Sequence, residues 1–274
     1  MKHLLSYFAL LLSFFVSAQS VSVMSFNIRY DNDRDGINAW TKGNRKTKVE
    51  TTIRDANPDI LCVQEALHHQ ITFLENAFPR YTRIGVGRDD AHEKGEYAAI
   101  FFDKNKYKLL DSGTFWLSPT PDAPSKGWDA TCCNRICTWV KLQQGKKIFY
   151  VFNAHFDHEG KTAQLESAKL ISQRIAPLIE SKIAVILAGD FNVTPDSEAI
   201  KVLKELLNDS YKSHPEIPKG TFTAFDTNRI PETRIDYIFV SKNLKTKNFT
   251  INHRRIEDLY PSDHYPVQTT VKLR

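Results

Sequence analysis

The segment of residues 183–195 constrains the fold most, because an apolar run leads directly into a group of polar residues. Residues 183–188 have the length and composition of a buried strand, and Gly189 permits a turn after it. Asp190 and Asn192 are two positions apart, so in an extended segment they project from the same side of the sheet. A carboxylate and an amide at a sheet edge can hold and deprotonate water. The alternative is a strand that ends in a polar turn.

Hydrophobic patterning along the rest of the chain predicts an α/β protein. No repeat, low-complexity block or composition shift marks a linker, so residues 19–274 are expected to form one domain. Helices are predicted at 46–56, 67–78, 162–179 and 197–207, and 118–134 is a candidate surface loop over a site. Strands are predicted at 21–28, 59–64, 81–86, 97–102, 107–116, 136–142, 148–155, 183–188, 234–240 and 267–273.

The N-terminus has the three parts of a secretory signal peptide. Met1-Lys2-His3 precedes an apolar run at 4–16, and small residues lead to Ala18, after which we expect cleavage. The run is short for a membrane span, and no second apolar segment of spanning length follows. The mature protein is therefore expected to be exported, periplasmic or secreted, without a transmembrane segment and as a monomer.

Charge and cysteine content limit the function classes. The formal net charge of +5 is compatible with a phosphate-bearing substrate but too small to indicate nucleic acid binding by itself. Cys62 lies in an apolar run and is expected in the core. Export would permit a disulfide among Cys132, Cys133 and Cys137, and free thiols are the open alternative. A zinc site is disfavoured because these thiols lack a second spaced pair or nearby histidines.

Acids, amides and histidines recur at the predicted strand ends, which capping would explain for any one of them but not for all. Six segments resemble, in order, the motifs of the endonuclease/exonuclease/phosphatase superfamily, and the resemblance spans essentially the whole mature chain. It implies an α/β fold of four layers, in which two packed mixed β-sheets are flanked by helices. The segments are Met24-Ser25-Phe26-Asn27-Ile28-Arg29, Asp59-Ile60-Leu61-Cys62-Val63-Gln64-Glu65, Asn153-Ala154-His155-Phe156-Asp157, Gly189-Asp190-Phe191-Asn192, Arg234-Ile235-Asp236-Tyr237 and Ser262-Asp263-His264-Tyr265-Pro266.

The resemblance implies a metal site. Glu65 would be the main Mg²⁺ ligand, with Asn27 and Asp263 beside it. Such an all-oxygen set suits Mg²⁺, for which Mn²⁺ is a candidate substitute.

The resemblance also implies the catalytic groups. Asp190 would orient and deprotonate the attacking water, and Asn192 would hold water or phosphate. His155 and His264 would bind phosphoryl oxygens and assist proton transfer at the leaving group. An in-line displacement at phosphorus needs these functions.

A carboxylate is expected beside each imidazole. Glu96 resembles the partner of His155, and Asp236 resembles the partner of His264. Such pairing would favour the charged imidazole and fix its tautomer. Asp236 is alternatively a structural ion-pair partner.

Substrate contacts are less well defined by the sequence. Arg29, Arg135 and Trp128 are candidates to line the substrate pocket, as are Trp40 and Trp116, and core packing is the favoured interpretation for the tryptophans. Gln164 stands where many members of the superfamily carry an arginine, so no phosphate-binding role is assigned to it.

These observations predict an exported Mg²⁺-dependent phosphoester hydrolase, either a phosphodiesterase or a phosphatase. The segments around Trp116, Trp128 and Trp139 resemble an exported bacterial branch of the superfamily, and a small or sugar-linked phosphoester is the favoured substrate. A secreted nuclease acting on DNA or RNA is the alternative enzyme. A catalytically inactive binding module of the same fold is the alternative from another class.

Overall fold

The computed structural model describes residues 19–213, 220–228 and 231–273, so the predicted signal peptide at 1–18 lies outside the described residues. The helices are α1 (Arg45–Ala56), α2 (His68–Ala77), α3 (Lys161–Glu180) and α4 (Glu198–Leu206). Two short 3₁₀ helices lie at Asp33–Asn38 and Ser210–Ser213. The strands are β1 (Ser20–Asn27), β2 (Ile60–Ala66), β3 (Tyr81–Ile84), β4 (Tyr97–Asp103), β5 (Lys108–Trp116), β6 (Ile136–Gln144), β7 (Lys147–His155), β8 (Ala184–Asp190), β9 (Leu207–Asp209), β10 (Asp236–Ser241), β11 (Lys245–Ile251) and β12 (Val267–Lys272).

The strands form two six-stranded mixed sheets. The first has the order β11-β12-β1-β2-β4-β3, and the second has the order β5-β6-β7-β8-β10-β9. Each sheet has a central parallel pair, β1 with β2 and β7 with β8, and the other strand pairs of the described residues are antiparallel. A helix connects each parallel pair, as such crossovers require.

Side-chain alternation places one core between the sheets and one outside each of them. In β1, Val21 and Val23 pack into the core between the sheets, whereas Met24 and Phe26 pack under α1 and α2. Helices α3 and α4 cover the second sheet in the same way, with apolar residues such as Ile171 from α3. The four-layer α/β sandwich predicted above is therefore confirmed.

All ten predicted strands and all four predicted helices have counterparts, with small shifts at their ends. The strands β9 and β11 were not predicted. In β11, Lys245, Lys247 and Asn248 interrupt the apolar alternation, and only Phe249 and Ile251 are buried. Such charge is typical of a sheet edge, where β11 lies.

The central strands end together at one edge of the sandwich, and Gly189 makes this approach possible in the second sheet. Strands β7 and β8 run in parallel, so His155 and Asp190 are register partners at their ends. A Cβ atom on Gly189 would lie 2.0 Å from the carbonyl oxygen of Ala154, and its φ of 150° also favours glycine. The predicted turn residue is thus required by close packing of two strands.

A buried polar bridge joins the two sheets just below this edge. Gln64 in β2 donates through Nε2 to Oδ1 of Asn153 in β7 at 2.7 Å. Asn153 donates through Nδ2 to the carbonyl oxygens of Val63 and Ala99, both at 2.9 Å. The bridge fixes one sheet relative to the other beneath the candidate site.

Across 19–213, 220–228 and 231–273, none of the helices combines the length and apolar character that a bilayer crossing requires.

Candidate active site

The site residues come from the ends of the central strands of both sheets. Asn27 ends β1, Glu65 lies in the last two residues of β2, His155 ends β7 and Asp190 ends β8. From strands of opposite direction, Asp236 begins β10, Asp263 and His264 precede β12, and Glu96 precedes β4. The predicted catalytic and metal residues therefore meet at one edge of the sandwich.

Asn27 lies at the centre of the polar cluster. Its Nδ2 donates to Glu65 Oε1 and to Asp190 Oδ2, both at 2.9 Å, and lies 3.4 Å from His264 Nε2. Its Oδ1 accepts a hydrogen bond from the backbone N–H of Arg29 at 3.0 Å. In this orientation Asn27 acts as a donor that holds two carboxylates together, and its amide would have to rotate to offer oxygen to a metal ion.

His264 is held by the predicted carboxylate partner. Its Nδ1 lies 2.9 Å from Asp236 Oδ2, and its Nε2 lies 3.7 Å from Asp190 Oδ2. Burial alone would lower the pKa of His264, but Asp236 and Asp190 outweigh it and raise that pKa well above its ordinary value. The geometry thus provides a buried imidazolium.

His155 has a different environment, and the expectation that both imidazoles are charged is wrong. Burial lowers the pKa of His155 well below its ordinary value, and the positive charges of Arg135 and Arg88 lower it further. Arg135 places Nη1 2.9 Å from Nε2 of this ring. His155 is therefore neutral, with Nε2 3.6 Å from Asp190 Oδ2.

Glu96 was expected to pair with His155, and the structure gives it another partner. Its two oxygens accept hydrogen bonds from Arg88 at 2.6 and 2.9 Å, while the nearest distance to His155 Nδ1 is 3.7 Å. Arginine binds a carboxylate in this bidentate way more strongly than a single imidazole nitrogen does. Glu96 thus lines the pocket without forming a hydrogen-bonded pair with His155.

The acidic groups of the site are crowded and buried. Burial, together with Asp236, raises the pKa of Asp190 to about 7. Burial, together with Glu65, raises the pKa of Asp263 to about 6 and that of Glu96 to about 7. Buried carboxylates near one another favour a bound cation, which would stabilise their charged forms.

The residues present fit a hard divalent cation. Ligand atoms of Glu65, His155 and Asp190 lie within 4.8 Å of one another. The carboxylates of Glu65 and Asp263 are bridged by the Arg29 guanidinium, at 3.8 and 3.7 Å. Carboxylate oxygens are the donors that Mg²⁺ prefers. Glu65 and Asp190 are close enough to share such an ion, and Asp263, which lies on the other side of the Arg29 guanidinium from Glu65, is a further candidate ligand.

The three candidate substrate-binding residues have different positions. Arg29 lines the pocket and is fixed by Asp35, which accepts two hydrogen bonds from it at 3.0 Å. Arg135 lines the pocket and is buried. Trp128 is half-buried and absent from the described lining of the pocket, so its predicted place there is not supported. Trp40 and Trp116 are buried in the core, as the favoured interpretation of the tryptophans predicts.

The site opens into a cavity of about 370 Å³, which is sized for one small ligand. Its lining includes the site residues Glu65, Glu96, His155, Asn192, Asp263 and His264. Residues without a predicted role also line it, namely Tyr30, Arg88, Cys132, Cys133, His158 and Phe222.

The two cysteines of this lining form a disulfide bond. Cys132 and Cys133, adjacent in sequence, form a disulfide, whereas Cys62 and Cys137 are buried free thiols. The pairing left open by the sequence is thus between neighbours, and Cys62 is a core residue as predicted.

Two residues, Asp157 and Gln164, support Arg135 and the loop after β7. Asp157 faces Arg135 Nε at 3.5 Å, and its Oδ1 accepts from the backbone N–H groups of Glu159 and Gly160 at 2.9 and 2.7 Å. Gln164 donates through Nε2 to the carbonyl oxygen of Asp157 at 2.8 Å. Gln164 therefore supports the loop after β7. This agrees with the sequence analysis, which assigned it no phosphate-binding role.

Three site residues adopt the left-handed backbone region. Arg29, Glu65 and Asn192 have φ values of 57°, 65° and 51°. Non-glycine residues there carry a conformational cost that the surrounding structure has to sustain, and such residues cluster at functional sites. Apolar patterning gives no signal for this feature.

Comparisons with known proteins show the family of the chain. Residues 24–264 match the model of the Endonuclease/Exonuclease/phosphatase family. The mannosyl-6-phosphatase Bt3783 of Bacteroides thetaiotaomicron is 37% identical, with a TM-score of 0.84 over 92% of this chain and 100% of that one. An endonuclease/exonuclease/phosphatase from Bacteroides vulgatus is 40% identical, with a TM-score of 0.85 over 93% and 100%.

Similarity extends to proteins of known sequence in animals. Human nocturnin is 25% identical over 252 residues, which cover 80% of this chain and 56% of nocturnin. The chain spans between 47% and 62% of the length of the curated relatives that it matches.

Proposed function

Because the chain belongs to the endonuclease/exonuclease/phosphatase family, whose members hydrolyse phosphoesters, we propose that it is an exported, metal-dependent phosphatase of sugar phosphate monoesters. The observation that carries the substrate class is the similarity, over nearly the full length of both chains, to the mannosyl-6-phosphatase. A cavity of about 370 Å³ with the reactive groups at its floor supports a small substrate.

The phosphoryl group would be bound at the floor of the cavity by two positively charged donors. His264 offers a charged Nε2–H group, because Asp236 holds its Nδ1. Arg29, fixed by Asp35, supplies a second positive charge at the floor. These groups would neutralise negative charge that develops on the phosphoryl oxygens in the transition state.

Asp190 would act as the base toward water. Its Oδ2 lies in a buried position between His155 and His264, at 3.6 and 3.7 Å, and is oriented by Asn27. As water attacks phosphorus, Asp190 would accept its proton while the bond from phosphorus to the sugar oxygen breaks. The proton that the departing oxygen needs would come from a histidine of the site, for which His264 has the charged form.

Glu65 and Asp263, with Asp190 close by, would hold Mg²⁺, or Mn²⁺ in its place. When bound, the ion would supply Lewis-acid stabilisation of the phosphoryl oxygens and offset the negative charge of the carboxylates.

Two features support export. The N-terminal segment has the form of a signal peptide, and the Cys132–Cys133 disulfide is of a kind that persists in oxidising compartments.

The test is a metal-titrated assay of the purified protein. Substrates are mannose 6-phosphate, glucose 6-phosphate, bis-p-nitrophenyl phosphate and plasmid DNA, with Asp190→Asn as the matched variant. We expect EDTA-sensitive phosphate release from a sugar phosphate, and a loss of about 10²–10⁴-fold in the variant, the usual contribution of acid–base catalysis.

Other outcomes would contradict the proposal. Plasmid nicking that weakens steeply with salt, without sugar phosphate hydrolysis, would indicate a nuclease. Hydrolysis restricted to the diester would indicate a phosphodiesterase. No hydrolysis of any substrate would indicate a binding module.

A further inference from the structure

The Cys132–Cys133 disulfide lies at the mouth of the catalytic pocket. Both cysteines line the cavity together with His155 and His264. The sulphur of Cys132, a ring nitrogen of His158 and a carboxylate oxygen of Asp157 lie within 4.8 Å of one another. His158 in turn accepts a hydrogen bond from Arg135 at 2.8 Å. The disulfide is therefore two contacts away from the arginine that touches His155.

The disulfide differs chemically from nearly all of its neighbours in this cavity. Most of the lining side chains are charged or are strong hydrogen-bonding groups. A disulfide offers two polarisable sulphur atoms and two methylene groups, which pack against C–H groups and donate no hydrogen bond. It thus provides an apolar surface in the same cavity as the polar phosphate site.

A second apolar surface of the cavity borders His264. Phe222 is 39% exposed, lines the same cavity, and places its ring centroid 5.0 Å from that of His264. The portion of the substrate beyond the phosphoryl group thus meets apolar surface from two sources in this cavity, the disulfide beside His158 and the ring of Phe222 beside His264. A pyranose ring, which carries hydroxyl groups at its edge and C–H groups on its faces, matches such surroundings.

The loop that carries the disulfide is held in place from both sides. On one side, Thr131 donates through Oγ1 to Glu159, and Lys126 donates to the carbonyl oxygen of Thr131 at 2.9 Å. On the other side, Asn134 donates to the carbonyl oxygen of Arg88 at 3.2 Å. A surface held in this way is preorganised, so a ligand loses less conformational entropy in binding to it.

We propose that the Cys132–Cys133 disulfide is a wall of the pocket that determines specificity. It contacts the C–H groups on one face of the sugar ring of the substrate. This inference rests on the proposed function. Opening the disulfide replaces a closed ring with two independent thiol side chains. The contact to the sugar is then weakened, whereas the phosphate site on the floor is unchanged.

The experiment compares the full enzyme in its oxidised and reduced forms. Tris(2-carboxyethyl)phosphine and water convert the disulfide to two thiols, each sulphur gaining one proton, while the phosphine becomes its oxide. Cys62 and Cys137 are thiols in both forms, so a thiol count of the denatured protein reports the change at the pair. The count should rise from two to four.

Two substrates separate the wall from the phosphate site. Mannose 6-phosphate carries the sugar ring, and methyl phosphate is a monoester without one. We expect reduction to raise KM for mannose 6-phosphate about fivefold, with kcat little changed, and to leave KM for methyl phosphate the same. The Cys132→Ser/Cys133→Ser variant should show the raised KM without reductant and should not respond to it.

Several results would overturn the inference. Equal kinetic constants before and after reduction would show that the disulfide does not contact the substrate. An equal rise in KM for both substrates would indicate a general structural role and would also contradict the inference. An initial count of four thiols would show that the pair is not joined. Hydrolysis of neither substrate in either form would overturn the proposed function and the inference with it. If the variant does not fold, the reduction of the unaltered enzyme decides.

Discussion

Asp236 Oδ2 lies 2.9 Å from His264 Nδ1, and both side chains are buried. The carboxylate fixes the ring so that Nε2 faces Asp190 and the cavity. It also stabilises the charged imidazole, against the effect of burial. One hydrogen bond therefore determines both the direction and the charge of this histidine.

The Asp236→Asn variant is expected to lose turnover by about 10²–10⁴-fold, because His264 loses the charge that keeps it protonated. The pKa of His264 should fall in parallel, which an NMR pH titration of its ring protons measures. Asp122→Asn, at a side chain that is 92% exposed, is the matched control and should behave like the unaltered enzyme. Near-normal turnover of Asp236→Asn would contradict the role given to this pair.

Metal binding should stabilise the protein more as the pH rises. The pKa values of Asp190 and Asp263 are raised in the folded protein from 3.8 to about 7 and about 6. The stability that their protonated forms contribute is fully present below about pH 4 and is lost as the pH rises through these values. We therefore expect Tm of the EDTA-treated protein to decrease across this range.

Added Mg²⁺ should reverse this decrease, because it compensates carboxylates that have lost their protons. Thermal unfolding at about pH 5 and about pH 8, with EDTA or with saturating Mg²⁺, measures the effect. The gain in Tm should be larger at the higher pH and smaller in Glu65→Gln. A gain independent of pH would contradict the expectation.

Asn153→Ala should weaken the connection between the two sheets. The change removes the hydrogen bonds of Asn153 to the carbonyl oxygens of Val63 and Ala99 in a buried region, and it leaves Gln64 Nε2 only weaker bonds, such as that to Ser25 Oγ at 3.1 Å. Each buried group without a partner costs about 1–3 kcal/mol, so a loss of about 3 kcal/mol in the free energy of unfolding is expected. Urea denaturation measures it, with the exposed Asn208→Ala as control. Equal stability of the two variants would show that the bridge contributes little.

Gly189→Ala is expected to prevent normal folding, because the new Cβ would lie 2.0 Å from the carbonyl oxygen of Ala154. The matched change is Gly36→Ala, which also has a positive φ but no atom within 4 Å of the added Cβ. That variant should fold and lose about 1–3 kcal/mol, the usual cost of a side chain in such a backbone conformation. Soluble yield and circular dichroism distinguish the two outcomes, and a well-folded Gly189→Ala protein would contradict the packing described between β7 and β8.

The layers of this fold follow from local patterns that the sequence displays openly. Buried central strands such as β2 and β8 are nearly continuous apolar runs, and the helices follow them with regular spacing. The edge strand β11 was missed because Lys245, Lys247 and Asn248 are exposed and only Phe249 and Ile251 are buried, so its apolar pattern is weak. Its structure depends on a partner that is distant in sequence, which no local pattern reports.

The residues of the candidate site were predicted from the sequence, but the hydrogen bonds and ion pairs between them were not. Gln64 and Asn153 are 89 positions apart, and only the stacking of the two sheets brings them together. The pairing of Glu96 was missed for a similar reason. Glu96 binds Arg88 and not His155, and the choice between these two donors depends on their distances in space. The prediction for Trp128 failed because an aromatic residue in a loop need not line the pocket, and the sequence does not show which way its ring is directed.

The left-handed conformations of Arg29, Glu65 and Asn192 lower the stability of the fold at the positions that carry site residues. At each of these positions glycine would relieve backbone strain, and a search for thermostable variants would tend to select it. The variants so obtained would lack the guanidinium, the carboxylate or the amide of the site. Selection for heat resistance alone should therefore yield robust folds with diminished chemistry at this edge of the sandwich.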